Sequence, residues 1–331
     1  MVGAEFHPER EPLGLSMSRG GPPRGDFFIP QPLRELTIAR LGVAGEAWLN
    51  QLPGVVAEFE DRWAIRVERA FDPGGVVGFV APATRADGTP AVFKISVRDR
   101  ETAHEATALH LYNGRGAVRV LAAEEERCAL LLERCLPGTS LLEVPDEMEA
   151  YSMAVGVLRQ LWGAQVSSVH PFDRARDRAA EWAVTVEREF AILGQPFEAR
   201  LAEEATRLFG ELATGGGREV LLHQDFHQGN ILAGQRQPWL AIDPKPLVGD
   251  PAFDLGPLLR DRREALFAAS DPRRRMARRL DQLAAETSLD RQRLRAWALA
   301  QGVELGLWSL SVRDAEGGAR DIACARILAT V

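Results

Sequence analysis

From Pro32 to Trp63 the apolar positions return at helical intervals: Leu33, Leu36, Ile38 and Leu41, then Ala47, Trp48 and Leu52. Two helices fit this stretch, with Pro53-Gly54 breaking the helical pattern. The period then changes. AIRVERAF, VVGFVAPAT and PAVFKISV are short runs of β-forming residues, separated by the turn-forming clusters DPGG and RADG, and they predict a three-stranded antiparallel meander. A helix is expected from Arg100 to Tyr112, stopped by Asn113-Gly114. Two more strands, GAVRVLAAE and CALLLERC, follow across the charged turn EEER, and Pro137-Gly138 ends this β-rich part. Beyond it, apolar stripes predict helices over 145–167, 173–190, 196–213 and most of 258–331. They are interrupted by a strand-like EVLLHQD and a hairpin, NILAG-QRQP-WLAID. The expected architecture is α+β and bilobal. A flexible extension (1–31) precedes a β-rich lobe with leading helices and one main helix (32–135), then a mostly helical lobe (136–331).

Composition narrows the chemistry. The 331 residues are 46% apolar and 26% charged, enough to build a core. Forty basic residues against 47 acidic ones leave a net charge of −7, which argues against a nucleic-acid partner and suits a polar or cationic small molecule. No apolar run reaches membrane-spanning length, and the N-terminus lacks the apolar stretch of a secretory signal. Cys128, Cys135 and Cys324 are odd in number and have no CxxC spacing, so neither a disulfide framework nor a zinc ribbon is expected. The expectation is a cytoplasmic protein. Of the 40 basic residues, 38 are arginine and two are lysine, Lys94 and Lys245. A lysine in such a chain invites a chemical reason, since its ammonium is a compact point charge where arginine is a wide fork.

The densest chemistry lies in LLHQDFHQGNILAGQRQPWLAIDPKPLVGDPAFDLG, residues 221–256. Asp225 is placed at a strand end, Asn230 at the start of the hairpin and Asp243 at its far end, so the hairpin returns Asp243 toward Asn230. Two carboxylates and an amide oxygen converging in this way suit Mg²⁺. His223 and His227 with Asp225 and Asp243 would be an alternative transition-metal site. Gly229 favours a loop over the helix that site would need, and no further histidine lies nearby.

His223-x-Asp225-x4-Asn230, then Ile242-Asp243 and Gly249-Asp250-Pro251-x2-Asp254-Leu255, resembles the signature of the aminoglycoside phosphotransferases within the protein-kinase-like fold. LLHQDFHQGNIL, WLAIDPKPLVGDPAFDLG, GRGAVRVLAAE and ALLLERCLPGTSL are similar to the streptomycin 6-phosphotransferase and hydroxyurea phosphotransferase group. The resemblance covers roughly residues 32–331. It implies ATP and Mg²⁺ as cofactors and O-phosphorylation of a small acceptor. Asp225 would handle the acceptor hydroxyl, Asn230 and Asp243 the metal, and Lys94 the nucleotide phosphates. Glu105, eleven residues after Lys94 and deeper in its helix than Glu101, would pair with Lys94. The loop carrying Gly74, Gly75 and Gly78 would cover the phosphates, and 132–136, with Glu133 and Cys135, would meet adenine.

Gln224 and Phe226 depart from the glycine and leucine expected beside the catalytic aspartate, and Gln224 and His227 become candidates for the acceptor pocket. Glu304 and Asp314, with Glu316, are acids on the C-terminal helices where a cationic acceptor would bind. Lys245 is open among phosphate neutralisation, a salt bridge to an acid such as Glu105, and a loop brace. Asp250, Asp254 and His223 read as braces. Arg273–Arg275, Arg278 and Arg279 read as a solvated face, and Trp297 and Trp308 as packing residues. A kinase of another small alcohol, or an inactive nucleotide-binding protein, stands as the competing function.

Overall fold

The computed structural model describes residues 27–72, 74, 75 and 77–331. Most of the extension expected over 1–31 lies outside the described residues, and its end is not loose. The Phe27 ring stacks on Phe79 at 5.1 Å, and the Arg69 guanidinium lies 3.6 Å above the Phe28 ring.

Two helices open the fold, α1 (Gln31–Leu41) and α2 (Val43–Trp63), but they part at Gly42 rather than at Pro53-Gly54. Gly42 has φ +54°, a conformation open to glycine at little cost. Proline inside a helix costs about 3 kcal/mol. Leu49, Leu52, Val56 and Phe59 are all buried along one face of α2, at about 1.5–3 kcal/mol each, and that outweighs the proline.

The sheet comprises β1 (Ile65–Val67), β2 (Gly78–Arg85), β3 (Pro90–Ser96), β4 (Val120–Glu124) and β5 (Ala129–Glu133), in the order β1-β2-β3-β5-β4. The predicted meander is its first three strands. Alternation along β3 sets the whole site. Phe93 and Ile95 face α1 and α2, and Lys94, between Val80 and Leu130 in register, points to the other side. On that side lies α3, which is Glu105–Tyr112 and shorter than the expected 100–112. The Asp99 carboxylate takes the N–H groups of Glu101 and Thr102, making a separate turn ahead of the helix.

The larger lobe contains α4 (Glu147–Leu161), β6 (Asp173–Arg174), α5 (Ala175–Ile192), α6 (Ala199–Ala213), β7 (Val220–Leu222), the hairpin β8 (Ile231–Ala233) and β9 (Trp239–Ala241), and β10 (Leu247–Gly249). It closes with α7 (Leu255–Leu259), α8 (Arg263–Phe267), α9 (Pro272–Thr287), α10 (Arg291–Ser311) and α11 (Ala315–Leu328). Its core is continuous with α3 and with Leu130 and Leu132 of β5.

The two lobes are joined along one edge by backbone bonds. Val118 N–H donates to Ala241 O at 3.1 Å, and Ala241 N–H to Gly116 O at 2.7 Å. Arg236, in the hairpin turn, adds a fork onto Glu133 and donates to the carbonyls of Gly114 and Ala117. Across the opposite edge, Arg100 of the small lobe reaches Asp173 and Glu181 of the large one through exposed ion pairs.

Two surface expectations are corrected. Arg279 is not solvated: it is fully buried, bound to Glu147 and to the carbonyls of Leu259 and Asp261. Trp308 is 40% exposed, whereas Trp297 is buried and donates to Asp250.

Candidate active site

The turn after β7 is built by a buried carboxylate. Asp254 accepts the backbone N–H groups of His223 (3.1 Å) and Gln224 (2.8 Å) and the indole N–H of Trp162 (3.0 Å). With no cation among these donors, burial pushes its carboxyl up to about 6. The bonds let Gln224 adopt φ +67° and swing Asp225 out of the strand direction. His223 is a second brace: its Nε2 bonds Ile242 O at 2.9 Å, and burial lowers it to about 4, so it is neutral. A Cβ at Gly229 would come within 2.8 Å of the His227 ring, so a larger residue there would displace that ring.

Asn230 ends the short turn before β8. Its Nδ2 donates to Asp225 O at 3.0 Å, which leaves its side-chain oxygen available. Ile242 N–H donates to Asn230 O at 2.9 Å, and this bond brings Asp243, at φ +59°, back beside Asn230. Among the described residues no three His, Cys, Asp or Glu side chains form a metal cage. A divalent ion here would have one carboxylate and one amide oxygen from the protein, the open oxygen shell that Mg²⁺ completes with water and phosphate oxygens.

Lys94 lies at the centre, only 6% exposed. Its ammonium is 2.7 Å from both Glu105 oxygens and contacts Asp243 Oδ1. Burial alone would lower its pKa, but the carboxylates of Asp243 and Glu105 reverse this and hold it charged. Glu105 is the partner expected, though it begins α3 rather than lying deep within it. Glu101, in the preceding turn, accepts instead from Gln224 Nε2 at 3.3 Å.

The second lysine is also here. Lys245 Nζ is 2.8 Å from Asp225 Oδ2. Burial acts to raise the Asp225 carboxyl, and the Lys245 charge, with His227 behind it, overrides that and holds it well below the usual range. His227 Nε2 is 3.9 Å from the other oxygen, Oδ1.

The remaining sites are placed as follows. Gly78 pairs with Ser96, and a Cβ on it would meet Ser96 Oγ at 2.3 Å. Gly74 is as tight, against Phe71 O at 2.5 Å, while Gly75 is exposed. The Glu133 side chain is taken by Arg236 and its backbone N–H by Arg119 O, so only its carbonyl and the backbone of Cys135 are left to face a base. Cys135 is buried, which pushes its thiol up to about 11. Glu304 on α10 is pushed up to about 7, first by burial and then by the charge of Glu101. Among the described residues Asp314 makes no bond to the cluster; it caps α11 by accepting Gly317 N–H at 2.9 Å, and Glu316 pairs with Arg320. The contacts that pattern reasoning misses are those of Arg236, Trp162 and Lys245, each an encounter of distant segments.

The chain is similar to known proteins in sequence and in fold. The sequence model of the aminoglycoside/hydroxyurea antibiotic resistance kinases matches residues 62–313. The chain is 36% identical to a streptomycin 6-kinase from Streptomyces glaucescens, over 85% of this chain and 91% of that protein. It is 38% identical to a hydroxyurea phosphotransferase from Kitasatospora aureofaciens, over 91% and 85%. In fold it is similar to a thermostable mutant of an aminoglycoside phosphotransferase solved with ADP and hygromycin B, with a TM-score of 0.59 at 16% identity, over 82% of this chain and 97% of that one.

Proposed function

Because the chain belongs to the aminoglycoside/hydroxyurea antibiotic resistance kinases and is a phosphotransferase, we propose that it moves the γ-phosphoryl group of ATP to a streptomycin-type aminoglycoside, or to hydroxyurea. The observation that carries this reading is the meeting of Lys94, from the small lobe, with Asp243 of the large one, beside the Lys245–Asp225 pair. The acceptor oxygen bonds to the γ-phosphorus as the bond to the β-phosphate oxygen breaks, ADP leaves, and the hydroxyl proton passes to Asp225. Lys94 and the Gly74–Gly78 loop hold the phosphates, and the backbone at Glu133 and Cys135 meets adenine. Asn230 and Asp243 hold Mg²⁺, which when bound neutralises phosphate charge. The small lobe (32–135) thus serves the nucleotide and the large lobe (136–331) the acceptor, in a cytoplasmic enzyme supplied with ATP. The test is ADP release by the protein with Mg·ATP and each acceptor in turn. Release with neither streptomycin nor hydroxyurea would overturn the assignment.

Asp243→Ala should weaken Mg·ATP binding at least tenfold while adenosine binding changes little, read by calorimetry with and without Mg²⁺. Unchanged Mg²⁺ dependence would move the metal elsewhere.

Glu304 supports a cationic acceptor. Its carboxyl is held up to about 7, so it is neutral below that pH and ionised above it. Streptomycin carries guanidinium groups that stay charged throughout this range. Its KM should therefore fall between pH 6 and 8, while that of uncharged hydroxyurea should not follow. In Glu304→Gln the streptomycin KM should be high and flat over the same range. A wild-type profile in that variant would take Glu304 out of the acceptor pocket.

A further inference from the structure

We propose that Lys245 is a catalytic cation: it holds Asp225 before substrates arrive, then contacts the transferring phosphoryl group as the acceptor hydroxyl attacks. The inference rests on the phosphotransferase reading above. Of the three roles the sequence leaves open for Lys245, the salt bridge to an acid is formed, but not with Glu105, because both Glu105 oxygens bond Lys94. Lys245 reaches Asp225 instead.

The backbone places it firmly. Lys245 N–H donates to His223 O at 2.9 Å, and Pro244 and Pro246 flank it, so its own conformation is confined to the extended region. The side chain therefore rises from a fixed base, and its ammonium sits 2.8 Å from Asp225 Oδ2 with the side chain only 19% exposed. Lys245 takes Oδ2, and Asp225 Oδ1, with His227 Nε2 3.9 Å away, is the oxygen we assign to the acceptor hydroxyl.

Geometry then puts Lys245 beside the reaction. A hydroxyl bonded to Asp225 lies about 2.6–3.2 Å from it, and must come to about 3–3.5 Å from the phosphorus. A cation on the other oxygen of the same carboxylate is separated from the transferred group by no more than that carboxylate and the attacking hydroxyl. Asp243 and Glu101 also act on Lys245 by charge. In transfer, negative charge spreads over the equatorial phosphoryl oxygens. An ammonium with three donors can keep Asp225 and take one of those oxygens together; a planar guanidinium would need both in its own plane. Lys245 keeps its proton throughout, and the hydroxyl proton still goes to Asp225. A loop brace alone would need no charge at this point, and Asp254 and His223 already brace the loop.

Two measurements test this. Lys245→Met should lower kcat by about 10²–10³-fold, as loss of one charge-stabilising donor does, with KM for ATP and acceptor within threefold. Lys245→Cys alkylated with 2-bromoethylamine regains an amine and should recover at least tenfold, the native cysteines being buried. A kcat within threefold of wild type in Lys245→Met, or no recovery on alkylation, overturns the proposal. The second measurement needs no acceptor. AMP-PNP with Mg²⁺ should slow acetylation of Lys245 at least tenfold more than ADP does, followed by peptide mass spectrometry. Equal protection by the two nucleotides overturns the phosphoryl contact. A wild-type protein that phosphorylates neither acceptor defeats the phosphotransferase reading instead, and the nucleotide comparison still decides on Lys245.

Discussion

With asparagine at position 225, phosphorylation of the acceptor is expected to fall by about 10²–10⁴-fold while nucleotide binding persists, the loss that follows when a positioned general base is removed. The two effects separate because Asp225 touches the acceptor side of the site. Its oxygens meet Lys245 and face His227, whereas Lys94, Glu105 and Asp243 form their own chain of contacts. The fold should survive. Asn230 bonds the backbone oxygen of residue 225, which the substitution leaves in place, and an amide oxygen can still accept from Lys245. The stability change is therefore about 1 kcal/mol, that of one exchanged hydrogen bond. Turnover within tenfold of wild type in a folded Asp225→Asn protein would remove Asp225 from the reaction.

Lys94→Arg is expected to cost at least about 100-fold in kcat/KM for ATP, equal to roughly 2.7 kcal/mol in transition-state binding. It keeps the charge and matches the usage of a chain that is otherwise arginine at nearly every basic position. What it cannot keep is the geometry. The ammonium is 2.7 Å from each Glu105 oxygen and touches Asp243, in a slot between Val80 and Leu130. A guanidinium is wider, and overfilling a packed site costs about 1–3 kcal/mol, so the melting temperature should fall as well. Measured kinetics and thermal denaturation together decide it. Full activity with unchanged stability would place residue 94 outside the phosphate site.

Much of this was readable from the residues, for physical reasons. Turns such as RADG and the period-2 runs beside it mark the meander, because strand side chains alternate and glycine and aspartate favour the turn. The scarcity of lysine singles out Lys94 before any geometry is known. The hairpin between Asn230 and Asp243 is local, so its effect of bringing the two together follows from its turn. Other features depend on what comes from far away in the chain. The continuity of α2 through Pro53 is decided by the apolar face it buries. The burial of Arg279 depends on Glu147, 132 residues away, and on helix-end carbonyls that nothing in its own stretch RRRMARR reveals. Trp308 has the composition of a core residue, and only the packing of α10 against α11 turns it outward. Lys245 was visible as an oddity, but its partner was not.

The two edges that join the lobes differ in kind. Backbone bonds and the Arg236 fork hold one side, and water or salt competes weakly with such a connected set. The other side is held by Arg100 on Asp173 and Glu181, pairs in open solvent that are worth about 0–1 kcal/mol each and are screened within about 8 Å at physiological ionic strength. One edge is therefore insensitive to salt and the other is electrolytic. Raising the ionic strength should weaken the Arg100 pairs and leave the backbone bonds of the other edge in place.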